Sequence, residues 1–250
     1  MVKNNSSKPN SLVDTVKTVV YAVLIALVIR TFGFEPFNIP SGSMIPTLLV
    51  GDYLFVSKSE YGYSKHSFPL SLPLMNGRIF ESQPKRGDVA VFKLPSDNTT
   101  DYIKRIVGLP GDTIRMKSGR LYLNGILVKR EKVNDLVQIE RNSGTRLTPQ
   151  YMEFFPNGTQ HLISESWGDQ GPLDNTILFK VPADHYFAMG DNRDNSQDSR
   201  VFPEVGFIPK ENLVGKAKIL FFSTNGKARF WEIWNWPISI RFERLLQKII

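Results

Sequence analysis

The pattern of apolar and polar residues divides the chain into an apolar N-terminal segment, a long middle part of short β-type runs and a C-terminal segment rich in tryptophan. Residues 15–34 are almost all apolar, and the uncharged stretch 18–29 is 12 residues long. A helix that crosses a bilayer needs about 20 residues, so the charged ends of Lys17 and Arg30 must reach toward the headgroups. We predict one span over residues 13–33 behind a polar tail at 1–12.

The same pattern is shared by cleaved signal peptides, whose apolar core has a similar length. No small-x-small cleavage site follows the segment, which favours an uncleaved anchor. Lys3, Lys8 and Lys17 lie at its N-terminal side, whereas only Arg30 lies at its C-terminal end, before the acidic Glu35. The positive-inside rule then predicts a cytoplasmic tail and an extracytoplasmic C-terminal body.

The middle part consists of aromatic and β-branched runs separated by Gly, Pro, Asn and Asp, the pattern of β-strands. Asn124-Gly125 between two apolar triplets predicts a hairpin with a type I′ turn. Because no useful helical period occurs between Pro36 and Asn225, we predict a mainly β fold, an antiparallel barrel or sandwich. Strands are predicted at 52–56, 89–92, 102–107, 121–123, 126–128, 177–181, 185–189 and, as a strand pair or one bent strand, 213–223.

Less regular stretches define the domain prediction. We assign the catalytic body to residues 35–128 and 177–229, with 129–176, which is polar, as an inserted cap subdomain. Residues 60–86 form a long excursion, for which an exposed hairpin at the membrane is one interpretation. Residues 230–250 hold three of the four tryptophans in an amphipathic context, which fits either a terminal helix on the body or an interfacial membrane contact.

Charge and composition narrow the function classes. The net charge of +7 fits nucleic acid or an anionic membrane, but the basic residues are dispersed and no nucleic-acid motif accompanies them. We therefore predict a lipid bilayer and no nucleic acid as partner. The absence of cysteine excludes a disulfide framework, a thiol nucleophile and Cys-ligated metal. His66, His161 and His185 are far apart, without metal-ligand spacing, and each is interpreted as a surface or packing residue.

A candidate nucleophile follows the apolar segment. Ser43 comes after Gly42, which permits unusual backbone dihedrals, and lies between Pro40 and Pro46, which fix φ. This context can hold one serine hydroxyl in a single orientation. A turn that joins the anchor to the body explains the same residues more simply, so this segment alone does not identify a catalytic serine.

A serine needs a base, and strand alternation points to a lysine. Tyr102, Lys104 and Ile106 share one face of a predicted strand. A general base near neutral pH requires a lysine pKa lowered by roughly three units from about 10.4, which burial can supply, and the adjacent Arg105 would act in the same direction. A solvated lysine on the outer face of this strand is equally consistent with the pattern.

A polar loop, GDNRDNSQDSR at 190–200, is the third candidate element. Arg193 and Gln197 occupy positions at which a calcium loop needs an oxygen ligand and a glycine, so a structural loop stabilised by Asp–Arg pairs is favoured. Together with SGSMIPTL at 41–48, RGDV at 86–89 and YIKRIVGLPGD at 102–112, this loop resembles the four sequence boxes of bacterial type I signal peptidases, in family order.

The resemblance implies a role for each matched residue. Ser43 would be the acylated nucleophile and Lys104 its general base. Ser41 would complete the oxyanion hole beside the Ser43 backbone N–H, and Ser196 would orient the lysine amine. The supporting residues that the resemblance implies are Met44, Arg105, Asp191, Asp198 and Arg200.

The resemblance also implies a function: a membrane-bound serine endopeptidase that removes signal peptides from exported preproteins after Ala-x-Ala, without metal or cofactor. The substrate would bind as an added strand, in the bacterial cytoplasmic membrane near the secretion translocon. A self-cleaving Ser/Lys repressor-type protease shares the dyad, but the anchor argues against it. A membrane-tethered β module that only holds exported chains, or a nucleic-acid binder, are the alternatives from other classes.

Overall fold

The computed structural model of the protein describes residues 11–68, 71–72, 75–140, 144–226 and 232–249. Most of the predicted tail at 1–12 lies outside the described residues, as do Phe230 and Trp231 of the tryptophan-rich segment. The chain begins with helix α1 (Ser11–Phe32) and continues into a body built mainly of antiparallel β-strands. The predicted mainly β fold class is therefore confirmed.

Helix α1 is the apolar segment that the sequence predicted as a membrane anchor. Leu12–Phe32 is long and apolar enough to cross a membrane, and its most apolar stretch of 18 residues is not buried against the body. At its C-terminal end, Arg30 donates hydrogen bonds of 2.7 and 2.9 Å to Glu35, and the Tyr63 hydroxyl donates to the Phe32 carbonyl at 2.8 Å. The helix is thus bonded to the body where the apolar run ends, while the limits of the span stay a prediction.

The body uses short strands that are joined by turns and three-residue 3₁₀ segments. A long helix is absent from residues 34–226 as far as they are described. The strands are β1 (Phe34–Asn38), β2 (Asp52–Ser57), β3 (Val89–Lys93), β4 (Asp101–Gly108), β5 (Thr113–Lys117), β6 (Arg120–Leu123), β7 (Ile126–Leu127), β8 (Lys129–Lys132), β9 (Leu136–Glu140), β10 (Gly144–Thr148), β11 (Gln150–Phe154), β12 (Gln160–Ser164), β13 (Phe179–Lys180), β14 (His185–Met189), β15 (Ile208–Pro209) and β16 (Leu213–Ser223).

A seven-stranded sheet, in the order β1-β2-β16-β3-β4-β14-β15, curls into a half-barrel and forms the centre of the body. Strand β3 is buried on both of its faces, because Val91 joins one apolar cluster with Met44 while its neighbour Phe92 joins another with Ile106. In the antiparallel register of β3 and β4, Ala90 pairs with Lys104 and Val91 with Ile103. This register places the residues around Ser43 and Lys104 against the same sheet.

Most predicted strands are confirmed, with small changes in length. The hairpin forms between β6 and β7, and Asn124 and Gly125 have the positive φ values, 53° and 77°, that a type I′ turn needs. Strand β16 is one long bent strand whose register shifts twice against β2. The strand predicted at 177–181 is shorter than expected. The strands that the sequence pattern did not predict are β1, β5, β8 to β12 and β15.

The two remaining segments of the body differ in their regularity. In residues 60–86, as far as they are described, an antiparallel bridge joins Tyr63 to Ile79, and an exposed hairpin that touches the membrane stays a prediction. Residues 129–176 carry β8, β11 and β12 as one sheet and the β9–β10 pair as another. A cap subdomain at 129–176 stays a prediction, since its limits are untested.

The C-terminal segment does not form the continuous helix that one interpretation required. Its described residues, 232–249, contain α2 (Trp236–Ser239) and two short 3₁₀ turns. Arg241 and Arg244 turn toward the buried carboxylate of Asp52, at distances of 3.3 and 2.5 Å. These ion pairs hold the segment against β2. The side chain of Trp234 is 71% exposed.

Candidate active site

Ser43 lies in a tight turn that the sheet and a distant loop hold from both sides. The Leu48 backbone N–H donates to the Met44 carbonyl at 2.9 Å, and both of these side chains are fully buried in the apolar core. Asn192 donates from its backbone to the Ser43 carbonyl at 3.1 Å and from its side chain to the Gly42 carbonyl at 2.9 Å. The backbone that carries Ser43 is therefore held in place by the polar loop.

Lys104 points from β4 into the same place. Its Nζ donates to Ser43 Oγ at 2.7 Å and to the Ile103 carbonyl at 3.0 Å, and it lies 5.1 Å from the ring centre of Tyr102. Lys104 is 4% and Ser43 9% exposed. The interpretation of Lys104 as a solvated outer-face lysine is thus excluded.

Burial sets the ionisation of this lysine. Desolvation lowers the pKa of Lys104 to about 8, and the negative charges of Asp198 and Asp191 act in the opposite direction. The charge of Arg105, which the sequence offered as a second cause of a lowered lysine pKa, is paired with that of Asp191. A lysine pKa near 8 makes a substantial fraction of the amine neutral at ordinary pH, as a general base requires.

Arg105 and Asp191 form a buried ion pair directly beneath the site. Arg105 is 0% and Asp191 1% exposed, and Nε and Nη2 donate to the two carboxylate oxygens at 2.8 and 2.7 Å. The hydroxyl of Thr47 also donates to Asp191, at 2.5 Å. This pair therefore links β4, the serine turn and the polar loop through one carboxylate.

The polar loop at 190–200 is held by hydrogen bonds between its Asp and Arg residues, the arrangement that the sequence favoured. Asp198 accepts from Nε and Nη2 of Arg200 at 2.9 and 2.8 Å and from the Gly190 N–H at 2.9 Å. Burial raises the pKa of Asp198, but the guanidinium and these hydrogen bonds outweigh it and the net shift is downward. Ser196 Oγ is buried and makes no hydrogen bond to Lys104, and its hydroxyl instead helps to lower the pKa of Asp198.

Ser41 lies at the open side of the site. Its Oγ is 3.4 Å from Ser43 Oγ, and the residue is exposed. A cleft of about 680 Å³ opens in front of both serines. One wall is formed by residues 37–43, and the other by residues 100–104 with Asn192, Asn195 and Gln197.

The histidines do not compete with Lys104 as a base. His66 and His161 are buried packing residues, and desolvation lowers the pKa of His66 to about 4 and that of His161 well below its ordinary value. His161 Nε2 lies 3.4 Å from Glu153. His185 is half-buried and has its Nδ1 2.8 Å from the Ala183 carbonyl.

Three residues that position the site were not singled out from the sequence. Asn192 and Gly190 belong to the polar loop, where the Gly-Asp-Asn step was a signal without an assigned function. Ser164 follows from no sequence signal: its hydroxyl donates to the Ile45 carbonyl at 3.0 Å, and its N–H donates to the Asp191 carbonyl at 2.9 Å. Residues 129–176 thus contribute to the site, which their composition did not indicate.

Gly190 supports a first prediction, because its missing side chain leaves room for the reacting groups. A Cβ at this position would overlap Ser196 Oγ and the Ser43 carbonyl oxygen. We expect Gly190→Ala to displace Ser43 and to lower kcat/KM about 10²-fold, since misplacement of a reacting group by about 1 Å has this effect. Peptide-cleavage kinetics measure the change, and a thermal melt reports whether the variant folds.

Gly111→Ala is the control for this prediction. No atom lies within 4 Å of a Cβ there, but the φ of +88° strains an alanine. It should therefore lose stability and keep its kcat/KM. A folded Gly190→Ala protein with more than half of the normal kcat/KM would contradict the spacing argument.

Comparison with known proteins places this geometry in context. The family model described as signal peptidase, peptidase S26, matches residues 12–222. The chain is 35% identical over 267 residues to the signal peptidase I of Rickettsia typhi (strain ATCC VR-144 / Wilmington), covering 100% of this chain and 98% of that protein. It is 36% identical over 265 residues to the signal peptidase I of Rickettsia canadensis (strain McKiel), covering 99% and 96%.

A solved structure was also found. A crystal structure of a signal peptidase I from Enterococcus faecalis V583 matches with a TM-score of 0.31 and 24% identity. The match covers 54% of this chain and 97% of that chain. This likeness is too slight to bear on the fold.

Proposed function

The chain belongs to the signal peptidase I family, peptidase S26, whose members are serine peptidases that remove signal peptides, and we propose that it acts through a Ser43–Lys104 dyad. The observation that carries this proposal is the 2.7 Å hydrogen bond between Lys104 Nζ and Ser43 Oγ in a buried setting. A neutral amine at this distance accepts the serine proton as the hydroxyl attacks.

The first half of the reaction forms an acyl-enzyme. Neutral Lys104 takes the proton of Ser43 Oγ, which attacks the scissile carbonyl carbon and forms a tetrahedral oxyanion. The Ser43 N–H and the Ser41 hydroxyl donate to this oxyanion, in a role for which one donor is worth about 10²–10³ in rate. Protonated Lys104 then gives its proton to the leaving amine, and the peptide C–N bond breaks.

The second half releases the signal peptide. Lys104, neutral again, accepts a proton from a water molecule that attacks the acyl carbonyl, and then returns it to Ser43 Oγ as the ester bond breaks. Ser196 is proposed to orient the lysine amine at some stage of this cycle. Met44 supports the burial of the lysine from the apolar core, while Arg105, Asp191, Asp198 and Arg200 support the turn and the loop.

The substrate is proposed to bind as an extended strand in the cleft. Along β4, strand β14 pairs with the second half alone, at Arg105, Ile106 and Gly108. The first half of β4 therefore has β3 as its only strand neighbour among the described residues, and it faces the cleft. A peptide can add there through main-chain hydrogen bonds, with pockets that select small side chains such as those of Ala-x-Ala.

The membrane completes the proposed function. The related signal peptidases are membrane enzymes, and α1 could span a bilayer. We propose a single-pass protein of the bacterial cytoplasmic membrane, with its N-terminus in the cytoplasm and its body outside, near the translocon that delivers preproteins. Exposed apolar residues of the C-terminal segment, among them Trp234 and Ile238, support a contact of the body with the lipid surface.

A cleavage assay tests the function. We expect the detergent-solubilised protein to cut a preprotein with an Ala-x-Ala site after the second alanine, as identified by N-terminal sequencing of the product. Ser43→Ala should lose at least about 10³-fold in kcat, because it removes the nucleophile. The exposed Ser59 supplies a matched control, since Ser59→Ala should retain normal activity.

The substrate supplies the complementary test. Replacing the second alanine of the site with phenylalanine should abolish cutting if small pockets set the specificity. Equal cleavage of both substrates would contradict the Ala-x-Ala specificity. Full activity of Ser43→Ala would instead contradict the serine mechanism and leave the tethered β module as the remaining interpretation.

A further inference from the structure

Three carboxylates outside the catalytic pair meet in the interior. Glu165 follows β12, Asp174 precedes β13, and Asp194 belongs to the polar loop of the active site. One carboxylate oxygen from each lies within 4.8 Å of the others. Glu165 and Asp174 are 0% exposed, and Asp194 is half-buried.

Half of the oxygens in this cluster lack a hydrogen-bond donor. Glu165 Oε2, Asp174 Oδ1 and Asp194 Oδ1 are buried, and no donor of the described residues reaches them. A buried carboxylate oxygen without a partner is costly, so it points to a ligand that supplies positive charge. The other oxygens are satisfied: Asp174 Oδ2 accepts from the Gly171 N–H at 2.6 Å, Asp194 Oδ2 from the Trp167 N–H at 2.7 Å, and Glu165 Oε1 from Arg130 at 3.3 Å.

The nearby guanidinium groups do not neutralise the cluster. Arg130 is shared between Glu165 and Asp169. The positive charges of Arg193 and Arg200 lower the pKa values of Glu165 and Asp174, respectively. Each guanidinium is, however, bonded through two nitrogens to another carboxylate, Arg193 to Glu153 and Arg200 to Asp198. Burial, with the neighbouring carboxylates, raises the pKa of Glu165 to about 8 in the absence of a bound cation. The three carboxylates therefore lie close together away from water, with donors for only half of their oxygens.

We propose that Glu165, Asp174 and Asp194 bind a hard divalent cation, Ca²⁺ or Mg²⁺. Such ions prefer carboxylate oxygens as ligands, and water molecules fill their remaining coordination positions. The cluster contains no histidine or cysteine among its described residues, and an all-oxygen donor set disfavours soft and borderline metals. This inference does not depend on the roles proposed for Ser43 and Lys104.

The position of the cluster indicates what the cation does. It joins the end of β12 and the segment before β13 to the loop that carries Ser196 and Asp198. Ser164, next to Glu165, already contacts the serine turn. A bound cation would therefore hold residues 164–174 against the active-site loop and stabilise the folded body.

Cation binding can be measured on the full chain in detergent. After treatment with EDTA and removal of the chelator, we expect CaCl₂ or MgCl₂ at about 100 times its Kd to raise the Tm by roughly 5 to 10 °C. Tb³⁺, which replaces Ca²⁺ at carboxylate sites, should give luminescence on tryptophan excitation, because Trp167 is bonded through its backbone to Asp194. Trp167→Phe should remove this signal and preserve the Tm shift.

Two variants and a control locate the site. Glu165→Gln removes one charge with little change of shape, and Gly171→Ala places a Cβ against Asp194 Oδ1. Both should lose at least about tenfold in cation affinity. Glu211→Gln alters an exposed carboxylate and should bind normally.

The outcomes are distinct. Saturable binding that raises the Tm, survives in Glu211→Gln and is lost in Glu165→Gln supports the proposal. No Tm change with either chloride salt and no Tb³⁺ signal in the wild type overturns it, and the carboxylates then share protons, for which a higher Tm of cation-free Glu165→Gln at neutral pH would be the sign. Binding that persists in both Glu165→Gln and Asp174→Asn lies elsewhere and also overturns the proposal.

Discussion

Lys104→Met should reduce kcat by about 10²- to 10⁴-fold, the range that a positioned general base supplies. Methionine fills much of the lysine volume in a site that is 4% exposed, so the fold should survive, but Ser43 Oγ loses the group that accepts its proton. Single-turnover cleavage of an Ala-x-Ala preprotein, beside a thermal melt, measures the effect. Lys117→Met, on the exposed face of β5, is the matched control and should be fully active.

Lys104→Arg tests the same role with the charge retained. A guanidinium stays protonated at all accessible pH values and cannot act as a base, so this variant should be nearly as inactive as Lys104→Met. If positive charge alone were needed beside Ser43, Lys104→Arg would keep most of the activity. Near-normal turnover of either variant would exclude the proposed base.

The pH dependence of the wild type follows from the lowered lysine pKa. The active form carries a neutral amine, so kcat/KM should rise with pH through an apparent pKa of about 8 and fall at lower pH, where Lys104 is protonated. The measurement is a pH–rate profile between pH 6 and 10. A profile that stays flat across pH 7 to 9 would show that another group, or another step, controls the rate.

The sequence pointed to the candidate site because each of its local signals was of a kind that the proposed Ser/Lys mechanism requires. A Gly-Ser step between prolines, an alternating strand with one lysine and a loop dense in Asp and Arg were each readable in isolation, although none was decisive. The contact between them could not be predicted from local patterns. Ser43 and Lys104 are 61 residues apart, and the position of Lys104 depends on the register of β3 and β4. The family resemblance supplied that missing link, and the 2.7 Å contact supports it.

Other features depended on contacts that a pattern cannot indicate. Nothing in the composition of 129–176 predicts that Ser164 contacts the serine turn, because a single serine does not form a repeating pattern in the sequence. The amphipathic pattern of the C-terminal segment is compatible with a helix whose polar face holds Arg241 and Arg244. In the structure both side chains instead form ion pairs with the buried Asp52, and the segment around them is not a continuous helix. The Glu165, Asp174 and Asp194 cluster likewise arises from three separate segments.

The buried pair under the site should dominate the effect of mutation on stability. Asp191→Asn leaves Arg105, which is 0% exposed, without its opposite charge. Removal of one partner from a buried ion pair costs about 3–5 kcal/mol, because the remaining charge stays desolvated. For a chain of this size that is a fall in Tm of roughly 6 to 20 °C, which differential scanning calorimetry in detergent would measure.

Asp184→Asn is the matched control for this prediction. Asp184 pairs with Lys210 at 3.1 Å, but both groups are exposed, and asparagine tolerates the positive φ of 58° at this position. The loss there should stay below about 1 kcal/mol. Activity should separate the two variants as well, because Asp191 also accepts from Thr47 in the serine turn and Asp184 does not.

The double variant Arg105→Met, Asp191→Leu distinguishes charge from packing. If the cost of Asp191→Asn arises from an unpaired buried cation, replacing both partners with apolar side chains should restore much of the stability. Activity should stay low, since Thr47 has lost the carboxylate that holds the turn carrying Ser43. A double variant as unstable as Asp191→Asn would instead mean that the shape of the pair, with the Arg105 hydrogen bond to the Gly87 carbonyl, stabilises this part of the body.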